Sequence, residues 1–265
     1  MLGTLAPEFW PMVGRLAAVV GGGALLALLT HNLTGRSTGR NTATAVRASL
    51  WPRFWVWCAI AAGITLIVGF DGGIFALGMA VGGIFAFREL FPALRRGPTP
   101  VASGTAAAFC LALIWVGLPL TLLVLLRNRP DGFGVVAWVF MVVAFSDILA
   151  MVGGLLAGRT PFMASVSPGK TLEGLVAGLA GGLLAAWLVG FALPNARLAP
   201  YLFASLALSV AGVVGDLAAS AVKRRAGLKD FGAALPGHGG VMDRLDSLLG
   251  AAPVAYLIVR FGGLS

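Results

Sequence analysis

The residues that could do chemistry crowd into one stretch, Gly215 to Ser247, which reads GDLAASAVKRRAGLKDFGAALPGHGGVMDRLDS. On a helix, Asp216, Ser220 and Lys223 fall at i, i+4 and i+7, so one face carries a carboxylate, a hydroxyl and an ammonium. Arg224 and Arg225 follow where such a helix would meet water. The segment GLKDFGAALPGHGG reads as a loop, with Lys229, Asp230, Pro236, His238 and glycines at 237, 239 and 240. Glycine lets backbone N–H groups come close to a ligand. Asp243 and Asp246, at i and i+3, open the next helix and can share a face. Three aspartates with lysines and arginines, and no Cys or His cluster, suit hard oxygen ligation. Mg²⁺ fits, because it takes carboxylates together with substrate phosphates, and the cations suit the remaining phosphate charge. The chemistry these residues point to is phosphoryl or nucleotidyl transfer.

A second polar stretch, SDILAMVGGLLAGRTPFMASVSPGKTLEG at 146–174, adds to the first. Asp147 lies inside an apolar run, where an ionisable group is costly and is a functional candidate by default. Ser167-Pro168 reads as an N-cap followed by proline at the first helical position. With Lys170 beside it, that helix start would make a phosphate site. Gly169-Lys170-Thr171 resembles the end of a P-loop, but that motif needs glycine at position 164, where this chain has alanine, and no strand precedes it.

The elements that must position these residues are membrane helices. The chain has 265 residues, is 58% hydrophobic and 11% charged, and has a mean hydropathy of +0.94. A soluble domain carries about 25% charged residues. Apolar runs of roughly 17–25 residues recur along the length, enough for a helix to cross a bilayer, and lipid favours helices that satisfy their own backbone. The expected fold is an all-α polytopic integral membrane protein. Its expected spans are 12–30, 54–70, 73–91, 104–126, 134–156, 172–193, 200–221 and 247–262, about eight in all. The first reads as a retained helix, because no basic segment precedes it. Residues 1–130 are expected to form N-terminal helices, with a basic interfacial segment at 31–53 that includes His31. Residues 131–265 are expected to form the catalytic transmembrane domain. Arg88-Glu89, ahead of Pro92, reads as a helix-end anchor, and Gly/Ala runs such as 177–186 read as close helix packing.

The net charge of +9 is explained by loops that set topology and meet anionic headgroups, so no nucleic-acid partner is expected. Odd-numbered connections are basic and even-numbered ones poor. Both termini are therefore expected outside and both polar stretches on the cytoplasmic face. The only three lysines, Lys170, Lys223 and Lys229, fall in those two stretches. Cys58 and Cys110 lie in apolar runs and suggest neither a disulfide nor a thiolate site.

At these residues the sequence resembles the phosphatidate cytidylyltransferase (CDP-diglyceride synthase) family. Ser220, Lys223-Arg224, Lys229-Asp230, His238-Gly239-Gly240, Asp243-Arg244 and Asp246 match the family's C-terminal pattern at its spacing over 27 residues. Asp147 corresponds to its intramembrane aspartate, and Ser167-Pro168, Lys170-Thr171 and Glu173-Gly174 to its upstream pattern. Near Asp147 the chain departs from the family: Ala150-Met151 and Gly154-Leu155 stand where the family commonly has Ala-Tyr and a Gly-basic pair. Such changes bear on lipid or nucleotide contacts and suit a divergent paralogue.

The resemblance implies that CTP and phosphatidic acid give CDP-diacylglycerol and pyrophosphate at the cytoplasmic face of a bacterial inner membrane. It implies Mg²⁺, with K⁺ as a second cation, held by Asp216 and Asp243. It assigns Lys170, Lys223, Arg224, Lys229 and Arg244 to phosphates, and Asp147 and Asp246 to orienting metal, water or lysine. Ser167, Thr171, Glu173, Ser220, Asp230, His238, Gly239 and Gly240 would line the substrate site. Membrane lipid would surround the protein, and a homodimer is compatible with it. Two other readings fit part of the pattern. One is a related CTP-dependent enzyme, either a polyprenol kinase or a cytidylyltransferase for another lipid phosphate. The other is a non-catalytic transporter, which would place charges at the bilayer midplane between inverted repeats.

Overall fold

A computed structural model describes residues 9–11, 13–14, 68–97, 100–102, 104–193, 196–234 and 239–262. The chain divides into two compact units, Met1–Asp71 and Gly72–Ser265. In the first, the rings of Phe9 and Trp10 meet edge to face at 5.2 Å. The expected spans 12–30 and 54–70 and the segment 31–53 fall almost wholly outside the described residues, as do His31 and Cys58.

The second unit is built of helices: α1 (Gly72–Arg95), α2 (Thr105–Arg127), α3 (Gly132–Ala157), α4 (Leu172–Val189), α5 (Leu198–Arg225) and α6 (Met242–Phe261). The first five are long and apolar enough to cross a membrane, and they overlie the spans expected from hydropathy. The sixth begins five residues ahead of the expected 247, and its first turns carry Asp243, Arg244 and Asp246. No strand occurs among the described residues; an isolated antiparallel bridge joins Pro161 to Thr171.

Proline shapes α2. Pro119 has no N–H to give to the preceding turn, and its ring crowds that turn's carbonyl. The helix widens into a π-type turn over Leu113–Gly117 just ahead of it, and the Thr121 hydroxyl donates to the Gly117 carbonyl at 2.8 Å.

Small residues let the helices approach. Gly174, Gly178 and Gly181 of α4 lie against the backbone of α3; a Cβ on Gly178 would stand 3.0 Å from the Ser146 carbonyl. The crossing of α5 and α6 is tighter. A Cβ on Gly215 would stand 2.9 Å from the Gly250 Cα, and one on Gly250 would stand 2.7 Å from the Gly215 Cα. Backbones in contact bury area where lipid supplies no hydrophobic drive between helices. Gly215 immediately precedes Asp216, and Gly250 lies one turn beyond Asp246, so this crossing sets the separation of the two carboxylates' helices. Deeper in the bundle, the buried Trp138 donates its indole N–H to Ser205 Oγ at 2.9 Å, and the Tyr201 hydroxyl donates to the Ala186 carbonyl at 3.0 Å. These bonds tie α3, α4 and α5 together.

The ends that carry the polar loops meet. Gly97, just past α1, packs on the Arg225 carbonyl at the end of α5, and its φ of +88° suits glycine alone. The C-terminus of α5 closes as a Schellman motif: Leu228 N–H donates to the Lys223 carbonyl at 2.8 Å, and Gly227 N–H to the Arg224 carbonyl at 3.1 Å, with Gly227 at φ +68°. That turn sends the following loop back over the bundle end.

Candidate active site

Two lysine–aspartate pairs and a group of carboxylates form the centre of the site. Asp216, Ser220 and Lys223 share one face of α5, as their spacing requires, and Ser220 Oγ donates to Asp216 Oδ1 at 3.3 Å. Asp216 Oδ2 pairs with Lys170 Nζ at 2.6 Å, which brings the 158–171 connection onto α5. Two turns further along α5, Lys223 Nζ reaches α6, standing 2.7 Å from Asp243 Oδ1 and 3.9 Å from Asp246 Oδ2. Its ammonium also lies over the Phe231 ring at 5.2 Å. The two pairs differ in setting. Lys223 and Asp243 keep 11% and 5% of their side-chain surface exposed, against 24% and 28% for Lys170 and Asp216.

Asp147 comes to the same place from α3. Its carboxyl group lies beside the Ser247 side chain and within electrostatic range of Asp216, Lys170 and Arg244. Asp246 lies within range of Asp216, Lys223 and Asp147, and its Oδ1 accepts the Ser247 N–H at 2.9 Å. Asp147, Asp216 and Asp246 therefore bring three carboxyl groups from three helices together, interleaved with Lys170, Lys223 and Arg244.

The loop is held by Asp243. Its Oδ2 accepts the N–H groups of Phe231 and Gly240, each at 2.9 Å, so one carboxylate gathers both ends of the glycine-rich segment. Gly239 has φ +77° and lies against Asp230 and Asp243, a position that calls for glycine. Lys229 and Asp230 are exposed on this loop, and His238 lies outside the described residues.

The upstream stretch corrects one expectation. Ser167 is not the N-cap of α4; Thr171 is, with extended φ −128° and ψ 157°, its Oγ1 accepting the Gly174 N–H at 3.1 Å. Ser167 instead begins a turn closed by Lys170 N–H donating to the Ser167 carbonyl at 3.2 Å. Pro168-Gly169 at the centre of a four-residue turn outweighs proline as a helix opener. Lys170 then sits on the bridge to the 160–162 segment, where Phe162 N–H donates to its carbonyl at 2.8 Å. Glu173 is turned to that segment: it accepts from Arg159 N–H at 3.1 Å and from the Thr160 hydroxyl at 2.9 Å. Arg224 Nε donates to the Val166 carbonyl at 3.3 Å, tying the turn to the end of α5.

Three residues that the sequence motifs do not assign to the site belong to it. Ser247 lies beside Asp147, Phe231 lies under Lys223, and Glu89, expected as a helix-end anchor, reaches α6: its Oε2 accepts the Met242 N–H at 2.8 Å. Only Glu89, an ionisable group in an apolar span, could have been flagged from its type.

Among the described residues no group of three or more His, Cys, Asp or Glu stands ready as a metal cage. Mg²⁺ does not need one, because it keeps waters and takes one or two carboxylates with substrate phosphates. The donor set fits such an ion. Asp216 Oδ1 has only the 3.3 Å contact to Ser220, so this carboxylate retains acceptor capacity. Asp243 is more fully engaged, by Lys223 and two N–H groups.

Comparison with known proteins agrees with this chemistry. A model of the cytidylyltransferase family matches residues 12–261. A phosphatidate cytidylyltransferase of Brucella abortus is 38% identical over 221 residues, covering 81% of this chain and 76% of that protein. One from Helicobacter pylori is 43% identical over 131 residues, covering 49% of each chain. YnbB, an uncharacterized protein of Escherichia coli K12, is 38% identical over 134 residues, 51% of this chain and 45% of that one. A match along nearly the whole length, with the motif residues gathered at one end of the bundle, settles the affiliation: the chain belongs to the cytidylyltransferase family.

Proposed function

We infer that this chain is a CTP:phosphatidate cytidylyltransferase, which makes CDP-diacylglycerol and pyrophosphate from CTP and phosphatidic acid. The observation that carries the reading is the meeting of Asp147, Lys170, Asp216, Lys223 and Asp246 at one end of a membrane helix bundle, in a chain whose relatives bear that name. A phosphate oxygen of the lipid attacks the α-phosphorus of CTP. The bond to the bridging oxygen breaks, and pyrophosphate leaves with the electron pair. The attacking phosphate monoester is largely ionised near neutrality, so no general base is required. The protein's work is positioning and charge neutralisation.

Lys170 and Lys223 are each held by an aspartate at 2.6 and 2.7 Å, so both ammonium groups are fixed before substrate arrives. Pre-oriented cations cost little reorganisation when charge builds on phosphate oxygens. Arg224, Lys229 and Arg244 extend the cationic surface toward the triphosphate and the lipid headgroup. Asp216 and Asp243 would hold Mg²⁺, with K⁺ as a second cation, and Asp216 has the less engaged carboxylate. The metal would supply further neutralisation of the attacking and leaving oxygens. Asp147 and Asp246 orient the lysines.

The site faces the cytoplasm, on the inner membrane of a bacterium. Two features support that side. The connections gathered at the site's end carry Arg96, Arg159, Lys170 and Lys229, whereas the opposite connections hold Arg129 and Arg197. Basic loops stay cytoplasmic, and CTP is available there.

The test is an assay with labelled CTP and phosphatidic acid, with and without Mg²⁺, followed by identification of both products. A Mg²⁺-dependent liponucleotide with pyrophosphate supports the reading. Release of CDP with a phosphorylated lipid would make the chain a kinase and overturn it.

A further inference from the structure

Glu89 belongs to α1, far in sequence from the motif residues, yet its carboxylate lies at the start of α6. The first N–H groups of a helix have no partner within the helix. At α6 the N-cap is Val241, which offers no side-chain acceptor. The Met242 N–H is instead satisfied by Glu89 Oε2 at 2.8 Å, a cap supplied from another helix. A negative charge at this end also complements the helix dipole.

The same carboxylate lies between two glycines of the loop. A Cβ on Gly232 would stand 2.6 Å from Glu89 Cδ and 3.1 Å from its Cγ, and one on Gly240 would stand 2.5 Å from Cδ. Neither glycine has positive φ. Their backbones would accept alanine, and what excludes a side chain is the Glu89 carboxylate. Gly240 also donates its N–H to Asp243, whose Oδ1 holds Lys223. Glu89 and Asp243 thus both hold the loop, one by packing on Gly232 and Gly240, the other by taking the N–H groups of Phe231 and Gly240.

We propose that Glu89 is a positioning residue of the transfer site, fixing the start of α6 and the loop at Gly232 and Gly240 so that Asp243 and Lys223 are in place before CTP binds. The proposal rests on the cytidylyltransfer reading for its kinetic consequence, but the clamp itself can be observed without turnover. Glu89→Ala removes the acceptor and the packing; Glu89→Gln keeps an oxygen that can accept from Met242 and nearly the same shape. We expect Glu89→Ala to raise KM for CTP about tenfold or more, the size of losing a fixed hydrogen bond at an ordered site, while Glu89→Gln stays within about threefold of the parent. In the full-length protein without substrate, amide exchange over 229–245 should rise in Glu89→Ala and stay at the parent level in Glu89→Gln.

Gly232→Ala provides an independent arm. Alone it should displace the carboxylate and raise KM; combined with Glu89→Ala it should add little further. Unchanged exchange and KM in Glu89→Ala would overturn the proposal. So would Gln behaving as badly as Ala, or fully additive Gly232 and Glu89 effects. If the parent makes no liponucleotide the cytidylyltransfer reading fails, and the exchange comparison still decides whether the clamp exists.

Discussion

Lys223 offers the sharpest test, because its surroundings set it apart from Lys170 at nearly equal ion-pair length. Lys223 stands 2.7 Å from Asp243 with both side chains almost fully buried, and Asp246 lies 3.9 Å away. Lys170 stands 2.6 Å from Asp216 with about a quarter of each side chain exposed. Replacing Lys223 by alanine leaves Asp243 and Asp246 without their nearest cation in a poorly solvated place. Removing one partner of a buried pair costs about 3–5 kcal/mol, chiefly from the charge left behind. Lys170→Ala leaves its aspartate partly in water, where such pairs contribute about 0–1 kcal/mol. For a chain of this size, about 3 kcal/mol corresponds to a Tm lowered by about 6–12 °C. In detergent, Lys223→Ala should therefore melt well below the parent, while Lys170→Ala stays within a few degrees although both lose turnover. Lys223→Met combined with Asp243→Asn should recover part of the stability and none of the activity. Equal melting of the two alanine variants would refute the reasoning, since burial would then not control the strength of these pairs. Lys223→Arg tests geometry: a planar fork does not replace a point charge between two carboxylates, so turnover should fall by more than about tenfold.

Asp216→Ala should abolish Mg²⁺-dependent turnover in a protein that still melts cooperatively, and near-normal activity in the purified variant would sink its assignment as a metal ligand. Thr171→Ala should cost about 1 kcal/mol through loss of the N-cap, whereas Ser167→Ala should leave stability unchanged; the opposite pattern, read by thermal melting, would move the cap back to Ser167. Gly250→Leu should prevent the α5–α6 approach at Gly215 and lower the yield of folded, monodisperse protein. A well-folded variant on size-exclusion chromatography would show that this crossing tolerates separation.

Much of the site was legible in the sequence because its signals are local. Apolar runs locate α1 to α5 to within a few residues, since a bilayer demands uninterrupted hydropathy over a fixed length. Helical spacing alone puts Asp216, Ser220 and Lys223 on one face, and charge and residue type alone point to phosphate and a hard cation. Where two local signals competed, reading the chain in isolation failed. Ser167-Pro168 suits a helix start, but Pro168-Gly169 also suits a turn, and the bridge between 160–162 and 170–172 favours the turn.

Tertiary structure decided which charges meet. Lys170 could have reached either polar stretch; the folded chain gives it to Asp216 and gives Lys223 to Asp243. Those choices depend on where α5 and α6 cross, and that crossing depends on Gly215 and Gly250 lacking side chains at one point of contact. Nothing near Glu89 in sequence tells that its carboxylate caps a helix that starts 153 residues later. Residue types, spacing and hydropathy are properties of neighbours along the chain, so the sequence by itself determined the membrane helices and the class of chemistry. Ion-pair partners, burial and the grip on the loop are properties of neighbours in space, and only the packed helices could decide them.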